Sequence, residues 1–230
     1  MEVLLCSCCR LYSTFALMDA KVCLAAAILG IIGVAATAYK RNSKPDFLYR
    51  TFRVPLVAYS LALGLYGGYV LPGQRWSWFS YHPLLMTSAF IAFAGNAIFL
   101  KKIGGYANTK SHGILMSVAV LLGLVGWYVI HSNKDMYKKQ HLTTAHAKLG
   151  AAGVVMYLLI WVVGAVALHP DFGIMRTNSK IRSAHKWTGK GATLIVWLAT
   201  YLGFATMEKG FFAQLFMVTP LIVLALYLVL

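Results

Sequence analysis

Seven long apolar blocks dominate this 230-residue sequence. They cover about residues 22–38, 54–71, 79–100, 111–130, 145–168, 187–206 and 211–230. Each is roughly 17–25 residues long, which is the length that a helix needs to cross a bilayer core. Charged residues make up only 12% of the chain, so too few polar side chains remain to cover a water-facing surface. The sequence therefore predicts an all-α integral membrane protein, with the lipid bilayer as its first partner.

The composition argues against other classes of protein. A hydrophobic share of 60% and an aromatic share of 13% exclude disorder. The four cysteines form no pair of CxxC sequences, and Cys6, Cys8 and Cys9 crowd at the N-terminus, which argues against a disulfide scaffold. The net charge is +15, but the basic residues sit in short loops between apolar blocks. This charge therefore predicts membrane topology, and we expect no nucleic-acid partner.

The basic loops alternate along the chain. The loops 39–53, 101–110 and 169–186 hold twelve basic residues, namely Lys40, Arg41, Lys44, Arg50, Arg53, Lys101, Lys102, Lys110, Arg176, Lys180, Arg182 and Lys186. The intervening loops hold five, namely Arg75, Lys134, Lys138, Lys139 and Lys209. The positive-inside rule places the first set in the cytosol, and with it the C-terminus.

The block 22–38 stands apart from the others. We assign residues 1–49 to an N-terminal extension whose block 22–38 forms a peripheral transmembrane helix, and residues 50–230 to the transmembrane domain. A signal peptide cleaved after Ala38 is the alternative. Cleavage there would leave the basic stretch 39–53 outside, against the charge rule, so we favour the helix. Because the sequence stops inside an apolar run, we also expect an incomplete C-terminus.

Four histidines recur at the starts of four consecutive predicted helices. His82, His112, His146 and His185 are separated by 30, 34 and 39 residues, about one helix plus one loop each. Because the chain reverses direction at every helix, they alternate between the two faces of the membrane. The sequence therefore predicts two pairs at two levels, with His82 and His146 on the non-cytosolic side. Histidines near helix ends often only form hydrogen bonds, but four at equivalent depths make that explanation weak.

The residues on the same helix faces are small or flexible. Positions four residues later are Met86, Met116, Gly150 and Gly189, and positions seven residues later are Ala89, Ala119, Gly153 and Ala192. Such faces leave room for a flat apolar group beside each imidazole. Paired imidazoles across an apolar slot are what a b-type haem needs. Two levels, each about one turn inside a ~30 Å core, would place two irons roughly 20 Å apart. Two six-coordinate irons favour transmembrane electron transfer over oxygen chemistry.

Four segments of the chain resemble the cytochrome b561 family, in particular its short "cytochrome b561 domain-containing" branch. They are SWFSYHPLLMTSAF (77–90), KSHGILM (110–116), IHSNKDMYKKQHLTTAHAKLG (130–150) and RSAHKWTG (182–189). The resemblance implies a six-helix core around a four-helix bundle. It also implies two haem b groups, held by His82 with His146 and by His112 with His185. The implied reaction moves electrons from cytosolic ascorbate to monodehydroascorbate or ferric iron. Homodimerisation is implied by the resemblance alone.

Two segments depart from the pattern of the ascorbate-linked branch. An ALLVYR-like segment reads AIFLKK at 97–102, so that an arginine is lost while positive charge is kept. A SLHSWxG-like segment reads TAHAKLG at 144–150, where the histidine survives and its polar surroundings do not. These departures bear on ascorbate as the donor and leave the haem ligands unaffected.

Other basic residues are candidates for substrate contacts. Cytosolic ascorbate, an anion, would be attracted by Lys101, Lys102, Lys110 and Lys186. His131 and His141 on the opposite face are candidate acceptor contacts, since imidazole is a good iron ligand; solvated loop histidines are the simpler alternative.

The leading hypothesis is therefore a transmembrane ascorbate-dependent oxidoreductase with small-molecule donor and acceptor. It would lie in the endoplasmic reticulum, a vesicle or vacuole, or the plasma membrane. A multi-pass transporter or proton channel is the alternative, although such proteins usually place acids at the midplane. A membrane scaffold without activity is the third hypothesis, and it gives no reason for repeated histidines.

Overall fold

The computed structural model describes residues 45–229 as a set of helices joined by short turns. Helix α1 is Pro45–Leu65 and continues as a π-helical stretch, Tyr66–Val70. The helices that follow are α2 (Trp78–Ile103), α3 (Tyr106–Met136), α4 (Ala145–Ala167), α5 (Ser179–Met207) and α6 (Phe211–Val229). The described part of the chain contains no strand, which confirms the all-α prediction. The predicted helix at 22–38 and the cysteine cluster lie outside the described residues.

Four of these helices are long and apolar enough to cross a membrane, by length and composition. They are Trp78–Ile103, Tyr106–Met136, Ala145–Ala167 and Phe211–Leu228. Helix α5 has a more polar composition because Lys180, Arg182, Lys186 and Lys190 occupy its first half. The chain is therefore a multi-pass membrane protein.

Several helices extend beyond the apolar blocks of the sequence. Helix α1 begins at Pro45 rather than near Val54, with proline at the first helical position, where its missing N–H does no harm. Helix α3 has 31 residues, about 46 Å at 1.5 Å per residue, which exceeds a bilayer core. Gly104 and Gly105 make the tight turn before it, with φ angles of 78° and 88° that favour glycine.

Helices α2 to α5 form a ring of four, in which each helix packs against the next and the π-helical part of α2 closes the ring against α5. Helix α1 packs on the outside of α2, and α6 on the outside of α5. The Tyr59 hydroxyl of α1 donates to the Met217 carbonyl of α6 at 2.6 Å. The arrangement is a central four-helix bundle flanked by two further helices, as the family resemblance implied.

Helix α2 departs from regular α geometry in two places. It opens with a 3₁₀ turn, Trp78–Ser80, and widens to a π-helix at Ser88–Phe93. Within the π stretch, the Phe90 carbonyl accepts a hydrogen bond from Trp197 Nε1 of α5 at 3.0 Å. Such local widening is often found at functional sites. Here it lies between the two histidine levels.

Candidate functional site

His82 and His146 face each other across the bundle. His82 lies near the start of α2 and is buried, and His146 lies in the first turn of α4. Their ring centroids are 6.2 Å apart, with an angle of 80° between the ring planes. The structure thus brings together two histidines that are 64 residues apart in the sequence. The end of the bundle that holds this pair is called the His82 end.

His112 of α3 and His185 of α5 make the second pair. They lie at the other end of the bundle, called the His112 end, close enough to interact electrostatically. Counted along α3, His112 is 14 residues before Gly126, whose carbonyl contacts His82. At 1.5 Å per residue the two levels are about 21 Å apart. This agrees with the separation expected from the sequence.

Backbone carbonyls fix the orientation of three of these imidazoles. His82 Nδ1 bonds Gly126 O at 2.9 Å, and His146 Nδ1 bonds Ala199 O at 2.7 Å. His112 Nδ1 bonds Ala97 O at 2.9 Å. Because a carbonyl oxygen can only accept, each Nδ1 must carry the proton, which leaves the lone pair on Nε2. This is the arrangement in which proteins present a histidine to a metal.

His146 of α4 lies against a glycine of α5, and His185 of α5 lies against a glycine of α4. A Cβ on Gly203 of α5 would lie 2.8 Å from His146 Cε1, and a Cβ on Gly164 of α4 would lie 3.0 Å from His185 Cε1. Each glycine therefore leaves the space that the Cε1 atom of its partner imidazole occupies. His185 Nδ1 is buried and has no hydrogen-bond partner among the described residues.

Replacing Gly203 with alanine should displace His146. The new Cβ would contact the imidazole, so we expect a loss of about 1–3 kcal/mol from overpacking and a weakened site at the His82 end. Thermal unfolding of the purified protein would measure the loss. Gly191→Ala is the control, because nothing lies within 4 Å of its Cβ position. Equal midpoints for the two variants would contradict this account of Gly203.

The small residues that follow each histidine have two different roles. Gly150 and Gly189, four residues after His146 and His185, have nothing within 4 Å of their Cβ positions, so space remains beside those imidazoles. Residues seven positions after each histidine, by contrast, lie about 10 Å further along the helix, midway between the levels. There Ala89, Ala119 and Ala192 are completely buried, and they close the bundle rather than widen a slot.

An aromatic cluster fills the space between the two levels. The rings of Phe90 and Tyr157 meet at 4.9 Å, and the Tyr157 hydroxyl is 2.7 Å from Thr193 Oγ1. Trp197 is buried beside them through its bond to the Phe90 carbonyl. Every polar group named here has a partner, so the middle of the bundle is a packed, low-dielectric layer.

Basic side chains gather at the His112 end. Lys101 is close enough to interact electrostatically with His112, His185 and Arg182. Lys102 interacts in the same way with Lys186 and Lys190, and its Nζ lies 3.8 Å above the Tyr227 ring. Arg182 and Lys190 were not among the residues expected from the sequence to attract the donor. Their positions, three residues before and five residues after His185, could have indicated them.

Lys110 differs from the other three lysines expected at this end. Its Nζ forms an ion pair with Asp171 at 2.9 Å, and the Tyr106 hydroxyl donates to the same carboxylate. The Tyr106 hydrogen bond and Lys110 together lower the pKa of Asp171. The positive charge of Lys110 is therefore balanced locally, which weakens the expectation that it attracts an anion.

The structure also brings His131 and His141 together at the His82 end. Their rings stack with centroids 4.2 Å apart, and Asp135 contacts both. Sequence reasoning missed Asp135, although its position four residues after His131 on one helix was a usable signal. His169, at the opposite end, stacks on Phe172 at 3.8 Å.

Comparison with known proteins gives a consistent result. A family model described as eukaryotic cytochrome b561 matches residues 81–213, a range that includes all four histidines of the two levels. The chain is 28% identical over 156 residues to transmembrane reductase CYB561D2 of Mus musculus, a match that covers 64% of this chain and 66% of that protein.

Two plant proteins are similar to the same part of the chain. Ascorbate-specific transmembrane electron transporter 1 of Zea mays is 29% identical over 141 residues, which cover 60% of this chain and 57% of that protein. Probable transmembrane ascorbate ferrireductase 4 of Arabidopsis thaliana is 27% identical over 156 residues, which cover 66% of this chain and 62% of that protein. The chain thus matches 66% or less of the length of these three relatives. With more than half of its length matched by the family model, the chain belongs to the eukaryotic cytochrome b561 family.

Proposed function

We propose that this protein carries electrons across a membrane through two haem b groups, from cytosolic ascorbate to a non-cytosolic acceptor. The observation that carries the proposal is the distance between the His82 and His146 rings. A metal–imidazole bond is about 2.0 Å and the nitrogen lies about 1.2 Å from the ring centre, so two imidazoles on opposite sides of one iron would have centres about 6.4 Å apart. The observed 6.2 Å fits a bis-histidine haem.

Three further features support two such sites. The Nε2 lone pairs of His82, His112 and His146 are left available by their Nδ1 hydrogen bonds. His185, which completes the second pair, has a buried Nδ1 that is not committed elsewhere among the described residues. The glycines Gly150 and Gly189 leave open space on the same helix faces. A flat apolar group would fill that space.

Haem, when bound, supplies a one-electron carrier at each level. The protein's own residues orient the ligands, exclude water and keep the two sites apart. The buried layer of Phe90, Tyr157 and Trp197 prevents water from bridging the levels. The acidic side chains Asp135, Asp171 and Glu208 lie at helix ends or in turns. Among the residues that the structure describes, a proton relay through the middle of the bundle would thus find no carboxylate, which disfavours a proton channel.

The donor and acceptor follow from charge and from the relatives. The basic loops favour a cytosolic His112 end, where Lys101, Lys102 and Lys186 would attract an anionic reductant. Two relatives are named for ascorbate, and one of these is a probable ferrireductase. We therefore propose ascorbate as the donor and monodehydroascorbate or ferric iron as the acceptor.

A reduced-minus-oxidised absorbance spectrum of the purified protein, with a haem-to-protein ratio, tests the proposal. We expect two haem b groups per chain and their reduction by ascorbate. If haem is present but ascorbate does not reduce it, ascorbate is refuted as the donor, while the proposal of a transmembrane electron carrier stands. A folded protein that binds no haem would refute the proposed function as a whole.

A further inference from the structure

Three side chains of metal-ligand type converge outside the histidine pairs, at the His82 end. Asp135 Oδ2 lies 3.0 Å from His131 Nδ1, and Asp135 Oδ1 lies 2.8 Å from His141 Nε2. One ligand atom from each of these residues lies within 4.8 Å of the other two. We call this group the His–Asp–His cluster.

The end of α3 and the turn after it build the cluster. His131 and Asp135 are one helical turn apart on α3, so they share a face. The chain then turns back over the helix end, where Lys139 N donates to Lys134 O at 2.8 Å and Lys134 Nζ donates to Gln140 O at 3.0 Å. These bonds place His141 against the helix that carries the other two ligands.

The ligand set has a clear metal preference. Two imidazoles and one carboxylate suit first-row transition metals, and the same set with open positions holds non-haem iron in many proteins. Two ligand atoms at about 2.1 Å from one metal and at right angles would be about 3.0 Å apart. His131 lies at about this distance from Oδ2 of Asp135, and His141 from Oδ1. The three side chains are 35–57% exposed, so a bound ion would keep positions open to solvent or to a chelator.

We propose that the His–Asp–His cluster binds a transition-metal ion and that ferric iron bound there is the electron acceptor. This inference rests on the proposed function for the source of the electron. Fe³⁺ would take one electron from the His82 end and become Fe²⁺, while the cytosolic one-electron reductant is oxidised. No bond at the iron need break, and the proton that the ascorbate monoanion loses on oxidation to monodehydroascorbate is released on the cytosolic side.

The position of the cluster suits electron transfer. His131 is five residues after Gly126, whose carbonyl bonds His82, and five residues of helix rise about 7.5 Å. Trp127, next to Gly126, meets the His131 ring edge-on at 5.9 Å. An aromatic side chain that contacts the cluster thus follows directly on the residue whose carbonyl holds His82.

The surrounding charge indicates how iron would be delivered. Lys134, Lys138 and Lys139 belong to the same helix end and turn, so the surface around the cluster is basic. Such a surface attracts anions. Ferric iron carried by an anionic chelator would therefore be drawn to it, whereas a free cation would gain little.

A binding experiment on the full-length protein tests the site without activity. The probe is Co²⁺, whose absorbance reports nitrogen and oxygen ligands. We expect one equivalent to bind the wild-type protein, and His141→Gln and Asp135→Asn to weaken binding by at least ~10-fold, the lower end of the loss seen even for groups that only support metal ligands. His169→Gln is the matched control and should bind as the wild type does. Equal affinity in all four proteins, or no binding to the wild type, would overturn the proposal.

A rapid-mixing experiment tests the role as acceptor. The pre-reduced protein is mixed with ferric nitrilotriacetate or with ferricyanide, which needs no coordination site. We expect both variants to be reoxidised about 10-fold more slowly than the wild type by the ferric chelate, and at the wild-type rate by ferricyanide. Unchanged rates with the ferric chelate would refute the acceptor role. A wild-type protein without haem would refute the proposed function, and the Co²⁺ titration would still decide the metal site.

Discussion

His146→Ala and His185→Ala are each expected to remove one of two haems, and a different one in each variant. Under the proposed function, each substitution takes away one axial imidazole and leaves the opposite histidine in place. The haem-to-protein ratio should fall from two to about one, since a single remaining ligand holds haem b weakly. Pyridine haemochrome assay and redox titration of the purified variants would measure both the number and the midpoint potential of the haems that remain.

The pairing makes this experiment specific. His82→Ala should give the same spectrum as His146→Ala, and His112→Ala the same as His185→Ala. His169→Ala is the control, because His169 stacks on Phe172 away from both pairs and should keep two haems. Two haems in both His146→Ala and His185→Ala would disprove the axial role of these residues.

Removing two lysine charges at the His112 end should slow reduction by ascorbate. Lys101 is close enough to interact electrostatically with His112 and His185, and Lys186 with Lys102. In Lys101→Gln/Lys186→Gln, the attraction for an anionic donor weakens. We expect the second-order rate of haem reduction to fall about 10-fold at low ionic strength, the lower end of electrostatic steering effects. Stopped-flow absorbance on sealed vesicles, with ascorbate on the His112 side, gives this rate.

The control removes the same charge from the opposite end. Lys138→Gln/Lys139→Gln changes the net charge equally but lies in the turn after α3. Its rate of reduction should match that of the wild type. Salt should reduce the difference between the two double variants, because exposed charges are screened beyond about 10 Å at 0.1 M ionic strength. Equal slowing in both would mean that total charge, rather than a site at the His112 end, controls the reaction.

The histidine pairs show which parts of the site local sequence can predict. Depth along a membrane helix follows from the position within an apolar block, and the side follows from the alternation of chain direction. Both are properties of the chain taken one helix at a time. The two levels, and the histidines that lie at each, could therefore be predicted from the sequence. The structure places His82 beside His146.

Lys110 and Asp135 show what such reasoning misses. Lys110 was grouped with the other lysines, but its partner Asp171 is 61 residues away, in the turn between α4 and α5. Asp135 was overlooked although it lies one helical turn after His131, and the turn after α3 then brings His141 to the same carboxylate. The small residues seven positions after each histidine were assigned to the slots, yet they lie midway between the two levels. What Lys110 pairs with and what these small residues pack against depend on which helix or turn lies opposite.

The sequence by itself determined the all-α membrane class, the six described helices and the two histidine levels, because hydropathy and helical rise act within single segments. Only the tertiary structure decided which carbonyls hold the imidazoles of His82, His112 and His146, which charges are balanced and where small residues close the bundle. Those features depend on contacts between helices, such as Gly203 against His146 and Phe90 against Trp197. Such contacts are set by how the helices pack, and packing couples residues that no local pattern connects.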